Sequence, residues 1–144
     1  MTNTRRIRPA ADVAVGYAAD ERGRGIAYAA VATGSNRAVV RLPFTSPVLP
    51  ALDGLDVGYA AVAAIAAHLK ARGFARVRVR LADERIVADL GGTGSPPKAL
   101  AMAYVKTRCM LHALGAVRLE TAAPVEVRDL SARAQAEVRL HAAA

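Results

Sequence analysis

Cysteine, aromatic residues and long apolar runs are all scarce in this chain. It has a single cysteine, Cys109, no tryptophan, and only 4% aromatic residues. One cysteine excludes an intramolecular disulfide, and no long apolar stretch follows Met1, so a cytoplasmic protein is expected. The most apolar window, 57–69, is rich in alanine, too short to span a bilayer and closed by His68-Leu69-Lys70, so no membrane partner is expected. The histidines, His68, His112 and His141, lie far apart with no metal-type spacing and read as helix-surface residues. Hydrolase signatures are missing as well. Ser46 and Ser95 have no His and Asp in a hydrolase order, and Cys109 falls mid-helix without a reactive motif, where it reads as core filler.

What is abundant is small apolar side chains and arginine. Hydrophobic residues make up 53% of the 144 positions, enough for one domain whose core Ala, Val and Leu must fill through close backbone approach. The expected organisation is a flexible basic tail over 1–10, carrying Arg5, Arg6 and Arg8, followed by a single domain over 11–144. Lys and Arg number 20 against 12 Asp and Glu, a formal charge of +8, and 17 of the 20 are arginine. The planar guanidinium fork favours phosphate, so this balance permits a polyanionic partner without requiring one.

Alternation gives the first elements. Asp12 to Tyr17 places Val13, Val15 and Tyr17 on one side of a strand, and Asp20-Glu21-Arg22-Gly23-Arg24-Gly25 reads as a turn. Ile26 to Thr33 is a second strand, and Gly34-Ser35-Asn36 turns the chain into a third, Arg37 to Phe44, ended by prolines. Asp53 or Asp56 caps a helix running to about Arg72, with Val62, Ile65 and Leu69 on its buried stripe. Arg76-Val77-Arg78-Val79-Arg80-Leu81 then alternates strictly, and Asp83 opens a short helix stopped by Gly91-Gly92. A long helix from Lys98 to Leu114, a strand from Ala116 to Thr121 and a final helix from Arg128 to about His141 complete the chain. The fold class is α/β, a five-stranded mixed sheet of three antiparallel strands and then parallel ones, with helices on its faces.

That order resembles the ribonuclease H-like superfamily, including ribonuclease HI and the ribonuclease H domain of reverse transcriptases, across Asp12 to about His141. Gly25 ends a turn where the family has a glycine-rich first hairpin, and Val57-Gly58-Tyr59-Ala60-Ala61-Val62 looks like the start of its first helix. Leu81-Ala82-Asp83-Glu84-Arg85-Ile86-Val87 looks like its "TDSxxVV" step, and Arg128-Asp129-Leu130-Ser131-Ala132-Arg133-Ala134 looks like a blurred "ADxLAxxA" step. The resemblance implies two-metal phosphodiester hydrolysis, in which four acidic residues hold two Mg²⁺ ions. By position the third and fourth acids fall on Asp83 and Asp129, whereas Gly16 and Gly58 stand in place of the first and second. Mg²⁺ demands near-octahedral oxygen ligation, so a nuclease of the usual kind is not expected, and Asp83 and Asp129 would be metal ligands only in an active enzyme. Both acids also serve as helix-start residues without any metal.

Neither Gly23-Arg24-Gly25 nor Gly91-Gly92-Thr93-Gly94-Ser95 continues into Gly-Lys-[Ser/Thr], so both read as turns rather than phosphate loops. Arg76, Arg78 and Arg80 share one strand face, and Arg118 joins them if the fourth and fifth strands are neighbours, with Arg22 and Arg24 adding charge from the first turn. Three functional readings follow. The first is a degenerate domain, not an enzyme and without a cofactor, that binds structured nucleic acid (a duplex or RNA–DNA hybrid) or a nucleic-acid-associated partner through these arginines. The second is an active Mg²⁺-dependent nuclease with a relocated carboxylate cluster of Asp83, Asp129, Asp20 and Asp56. The third is an assembly or homodimerisation module, in which flat alanine-rich helices or an open sheet face pack on a second copy. Against all use of the arginine face stands a plain structural reading, with the final helix covering it and Glu126 and Glu137 pairing some of its arginines.

Overall fold

In the computed structural model, residues 10–47 and 52–142 are described, so the expected tail lies outside the described residues except for Ala10, which opens a strand. The strands are β1 (Ala10–Ala19), β2 (Arg24–Thr33), β3 (Asn36–Thr45), β4 (Arg76–Leu81) and β5 (Ala116–Thr121). The helices are α1 (Leu55–Ala71), α2 (Glu84–Leu90), α3 (Ala101–Ala113) and α4 (Pro124–Ala142). One sheet has the order β3-β2-β1-β4-β5. β1–β2 and β2–β3 are antiparallel, while β1–β4 and β4–β5 are parallel, with Val13, Val79 and Leu119 in one row.

Strand alternation divides the sheet into two chemically different faces. Val13, Val15, Val77, Val79 and Leu81 point toward α1, α2 and α3 and meet Leu55, Tyr59, Val62, Ile65 and Leu69 of α1 in the main core. On the opposite face Ala14, Ile26 and Tyr28 receive Val127, Leu130 and Ala134 of α4. A second short core results, made of Tyr28 and small and medium aliphatic side chains, and it lies chiefly over β1 and β2. The β4–β5 half of that face, which carries the arginines, has no helix packed over it.

Strand ends shift by up to two residues, and three helix starts differ from the sequence reading. α1 starts after Gly54, in the left-handed region, with no side-chain cap, so neither Asp53 nor Asp56 caps it. The final helix begins at Pro124 rather than Arg128, because proline at the first helical position lacks an N–H that would be unsatisfied there in any case. The segment after Pro96-Pro97 starts as a 3-10 turn, Lys98–Leu100, before the α-helix proper begins at Ala101. Cys109, expected in the core, is exposed, because α3 buries chiefly Thr107 and Leu111. Among the described residues, no helix is long and apolar enough to cross a membrane.

Candidate functional site

Asp83 ends the β4 segment in extended conformation and caps α2, accepting hydrogen bonds from the backbone N–H groups of Arg85 (2.9 Å) and Ile86 (3.4 Å). Beside it stands the Tyr17 hydroxyl. Burial in the α1-side core, and then the Asp83 charge, push that phenol well above its ordinary pKa, so it stays protonated. Gly58 of α1 closes the third side. A Cβ there would collide with Cδ1 of the fully buried Ile86 and would lie 2.9 Å from the Tyr17 hydroxyl oxygen. Tyr17, Gly58, Asp83 and Ile86 therefore form one tightly filled corner at the C-terminal end of β4.

The other two positions singled out in the sequence lie on the opposite face. Gly16 points toward α4, and a Cβ there would run into Ser131 N and stand 2.6 Å from the Leu130 carbonyl carbon. The glycine allows α4 to cross β1 at backbone contact. Asp129 sits on α4 and is exposed. The sheet thus separates Gly16 and Asp129 from Gly58 and Asp83, and the β1 residue that meets Gly58 and Asp83 is Tyr17. Sequence position alone pointed to Gly16; the alternation of Val13, Val15 and Tyr17 was the signal that would have identified Tyr17.

The remaining acids have other work. Asp20 accepts hydrogen bonds from the N–H groups of Arg22 (2.8 Å) and Arg24 (2.9 Å) and from Arg24 Nε (3.0 Å). Although desolvation opposes it, these bonds hold Asp20 below the usual carboxylate range. Asp56 is buried on α1, and the buried Asp89 accepts a 2.7 Å bond from Tyr59. Among the described residues, no group of three or more His, Cys, Asp or Glu side chains comes together to hold a metal ion. The donors present do not fit a Mg²⁺ pair: one half-buried carboxylate engaged in capping is joined by a protonated phenol and an isoleucine.

The arginine face has more structure. Arg78 and Arg118 lie in register across β4 and β5, with Asp12 of β1 in the same row. Arg78 bonds Glu120 through Nε at 2.6 Å and stands 3.6 Å from Asp12; Arg80 bonds Glu126 at 2.6 Å and Asp12 at 3.2 Å. The hydrogen bond to Glu120, then its charge, raises the Arg78 pKa further, so the guanidinium stays charged. Arg118 is 78% exposed and only 4.0 Å from Glu120. Together with Ala10 and Ala116, Arg76, Arg78 and Arg118 line a shallow hollow of about 590 Å³. Glu126 neutralises part of this face, but Glu137 does not, since it pairs with Arg41 of β3 at 2.5 Å. Arg22 belongs to the turn after β1 and Arg24 opens β2, whereas Arg76 is in register with Ala10 at the start of β1. Ten extended residues span roughly 30 Å, so they do not join the hollow.

The fold is ribonuclease H-like. The N-terminal ribonuclease H domain of a Mycobacterium tuberculosis protein, solved as a fusion with maltose-binding protein, superposes with a TM-score of 0.72 at 13% identity, covering 94% of this chain and 99% of that one. Ribonuclease H1 of the halophilic archaeon Halobacterium salinarum gives a TM-score of 0.65 at 16% identity, covering 88% and 95%. LC11 ribonuclease H1, solved in complex with an RNA/DNA hybrid, gives 0.60 at 14% identity, covering 87% and 91%. No family model and no curated protein matches the sequence.

Proposed function

We propose that this chain is a non-hydrolytic ribonuclease H-like domain that binds structured nucleic acid, duplex or RNA–DNA hybrid, through the open β4–β5 face. The observation that carries the first half is the filled corner: Tyr17 and Ile86 occupy the space between Gly58 and Asp83, where carboxylates and metal ions would have to meet. Support for the second half is the hollow lined by Arg76, Arg78 and Arg118 on the half of the sheet that α4 leaves open. The hybrid in the LC11 complex makes nucleic acid the first partner class to test.

Charge bookkeeping sets the scale of binding. Arg76, Arg78, Arg80 and Arg118 share their face with Asp12, Glu120 and Glu126; Arg78 and Arg80 are closely paired, so the outer guanidiniums, Arg76 and the exposed Arg118 with its long 4.0 Å contact to Glu120, are the ones placed to meet phosphates directly. Two phosphate contacts give a log–log salt slope of about −2, shallow beside that of a dedicated DNA-binding protein. A cytoplasmic setting agrees with the single exposed cysteine.

The test is a titration of end-labelled RNA–DNA hybrid and of duplex with Mg²⁺ or Mn²⁺ present. Intact, salt-sensitive complexes are expected, weakened in Arg76→Gln and Arg118→Gln. Metal-dependent cutting that disappears in Asp83→Asn would overturn the proposal, and absence of salt-sensitive binding would leave assembly as the function.

A further inference from the structure

Beyond the sheet face, a second cationic site lies at the outer edge of β5, where the end of α2, the last turns of α3 and the edge strand enclose a cleft of about 340 Å³. Leu90, Leu111 and Val117 contribute its apolar part, and its polar side chains are Arg108, His112 and Arg118. No carboxylate lines it. Arg24, Arg41, Arg78 and Arg80 stand against acids elsewhere and Arg118 reaches Glu120 only at 4.0 Å, whereas Arg108 has neutral partners.

Arg108 is held in place by neutral partners. Its Nη1 donates to the Tyr104 hydroxyl at 3.0 Å, one helical turn away, and its guanidinium carbon lies 5.8 Å from the centre of the same ring. It also lies against the Gly91-Gly92 turn: Gly92 has φ +89, and a Cβ there would come within 3.0 Å of Nη1. The turn is glycine for two reasons at once, backbone conformation and room for the arginine. The guanidinium is therefore positioned without being neutralised, the state in which an arginine recognises an oxyanion. His112, one turn further along α3, and the highly exposed Arg118 complete a three-sided donor set.

We propose that this cleft binds a phosphate group, with Arg108 as the anchor and His112 and Arg118 as additional donors. The site shares Arg118 with the hollow on the sheet face but does not depend on nucleic-acid binding there. Its ligand is either a terminal phosphomonoester or a backbone phosphodiester, since both present anionic non-bridging oxygens to the guanidinium.

The experiment follows backbone amide shifts of the ¹⁵N-labelled full chain during titration with inorganic phosphate, with NaCl at matched ionic strength as control. Saturable shifts are expected at Gly91, Arg108, His112 and Arg118. A charged hydrogen bond lost from such a site weakens binding about tenfold or more, which is the change expected in Arg108→Gln. Arg108→Lys should retain part of the affinity, and Arg76→Gln should leave this binding unchanged, which separates the cleft from the sheet face. A 5′-phosphorylated oligonucleotide and its 5′-hydroxyl twin then distinguish the sources: cleft shifts with the first alone identify a terminal phosphate, and equal shifts with both identify the backbone. Shifts reproduced by NaCl, shifts unaltered in a folded Arg108→Gln protein, or no shifts at all would overturn the site.

Discussion

Glycine at position 16 and glycine at position 58 are both absences of a side chain, yet each is enforced by a different neighbour. At Gly16 the neighbour is α4 backbone, which cannot move without lifting the helix from the sheet. Gly16→Ala should therefore lower stability by about 1–3 kcal/mol, read as a drop in the denaturant midpoint at unchanged slope. At Gly58 the neighbour is the Cδ1 methyl of Ile86, and helix propensity alone would favour alanine by up to about 1 kcal/mol. Gly58→Ala should nevertheless destabilise the wild-type protein, and less so in an Ile86→Val background that removes the offending methyl. A double-mutant cycle should show this coupling, at about 0.5 kcal/mol or more; strict additivity would mean that the corner is loosely packed. Asp20 supplies a pH signature. Its folded pKa is depressed, so its contribution is present above the unfolded value of about 3.9 and is lost as pH falls through the folded value. The stability difference between wild type and Asp20→Asn should accordingly shrink from pH 5 to pH 2, measured by urea denaturation.

Among the elements, strand alternation and turn residues made the sheet legible: Ala116–Thr121 reads directly as β5, and the three antiparallel strands differ from expectation by no more than two residues at each end. Helix starts were less legible, because Pro124 looks like a breaker until the first-turn geometry is known, and Pro96-Pro97 feeds a 3-10 turn. The candidate site was legible only in part. Asp83 as cap follows from local pattern and Gly58 was marked only through the family resemblance, but finding the β1 residue that meets them required knowing which face α1 covers. Ile86 as the filler could not be read at all, since its contact with Gly58 joins two helices across the end of the sheet. The cleft at β5 was similarly hidden: Arg108, His112 and Arg118 belong to a helix and a strand that only the tertiary structure brings to one edge.

For the whole molecule, the formal charge of +8 is not spread as a uniform basic surface. Carboxylates pair closely with the inner arginines Arg78 and Arg80, while Arg76 and the more exposed Arg118, 4.0 Å from Glu120, line the hollow away from the Asp83 corner. The proposed binding face and the Asp83 corner are thereby separate, so variants at one should not move the other. Tyr17→Phe, which removes the hydroxyl beside Asp83, should leave hybrid affinity within about twofold, the scale of a change below roughly 0.5 kcal/mol. The most direct measurement is an electrophoretic titration of end-labelled RNA–DNA hybrid in Mg²⁺ at two salt concentrations, which reads binding and cleavage in the same lanes. An intact hybrid that shifts at low salt, releases at high salt and binds more weakly to Arg118→Gln is the expected result. Hybrid that is cut by the wild-type protein and spared by Asp83→Asn would contradict it.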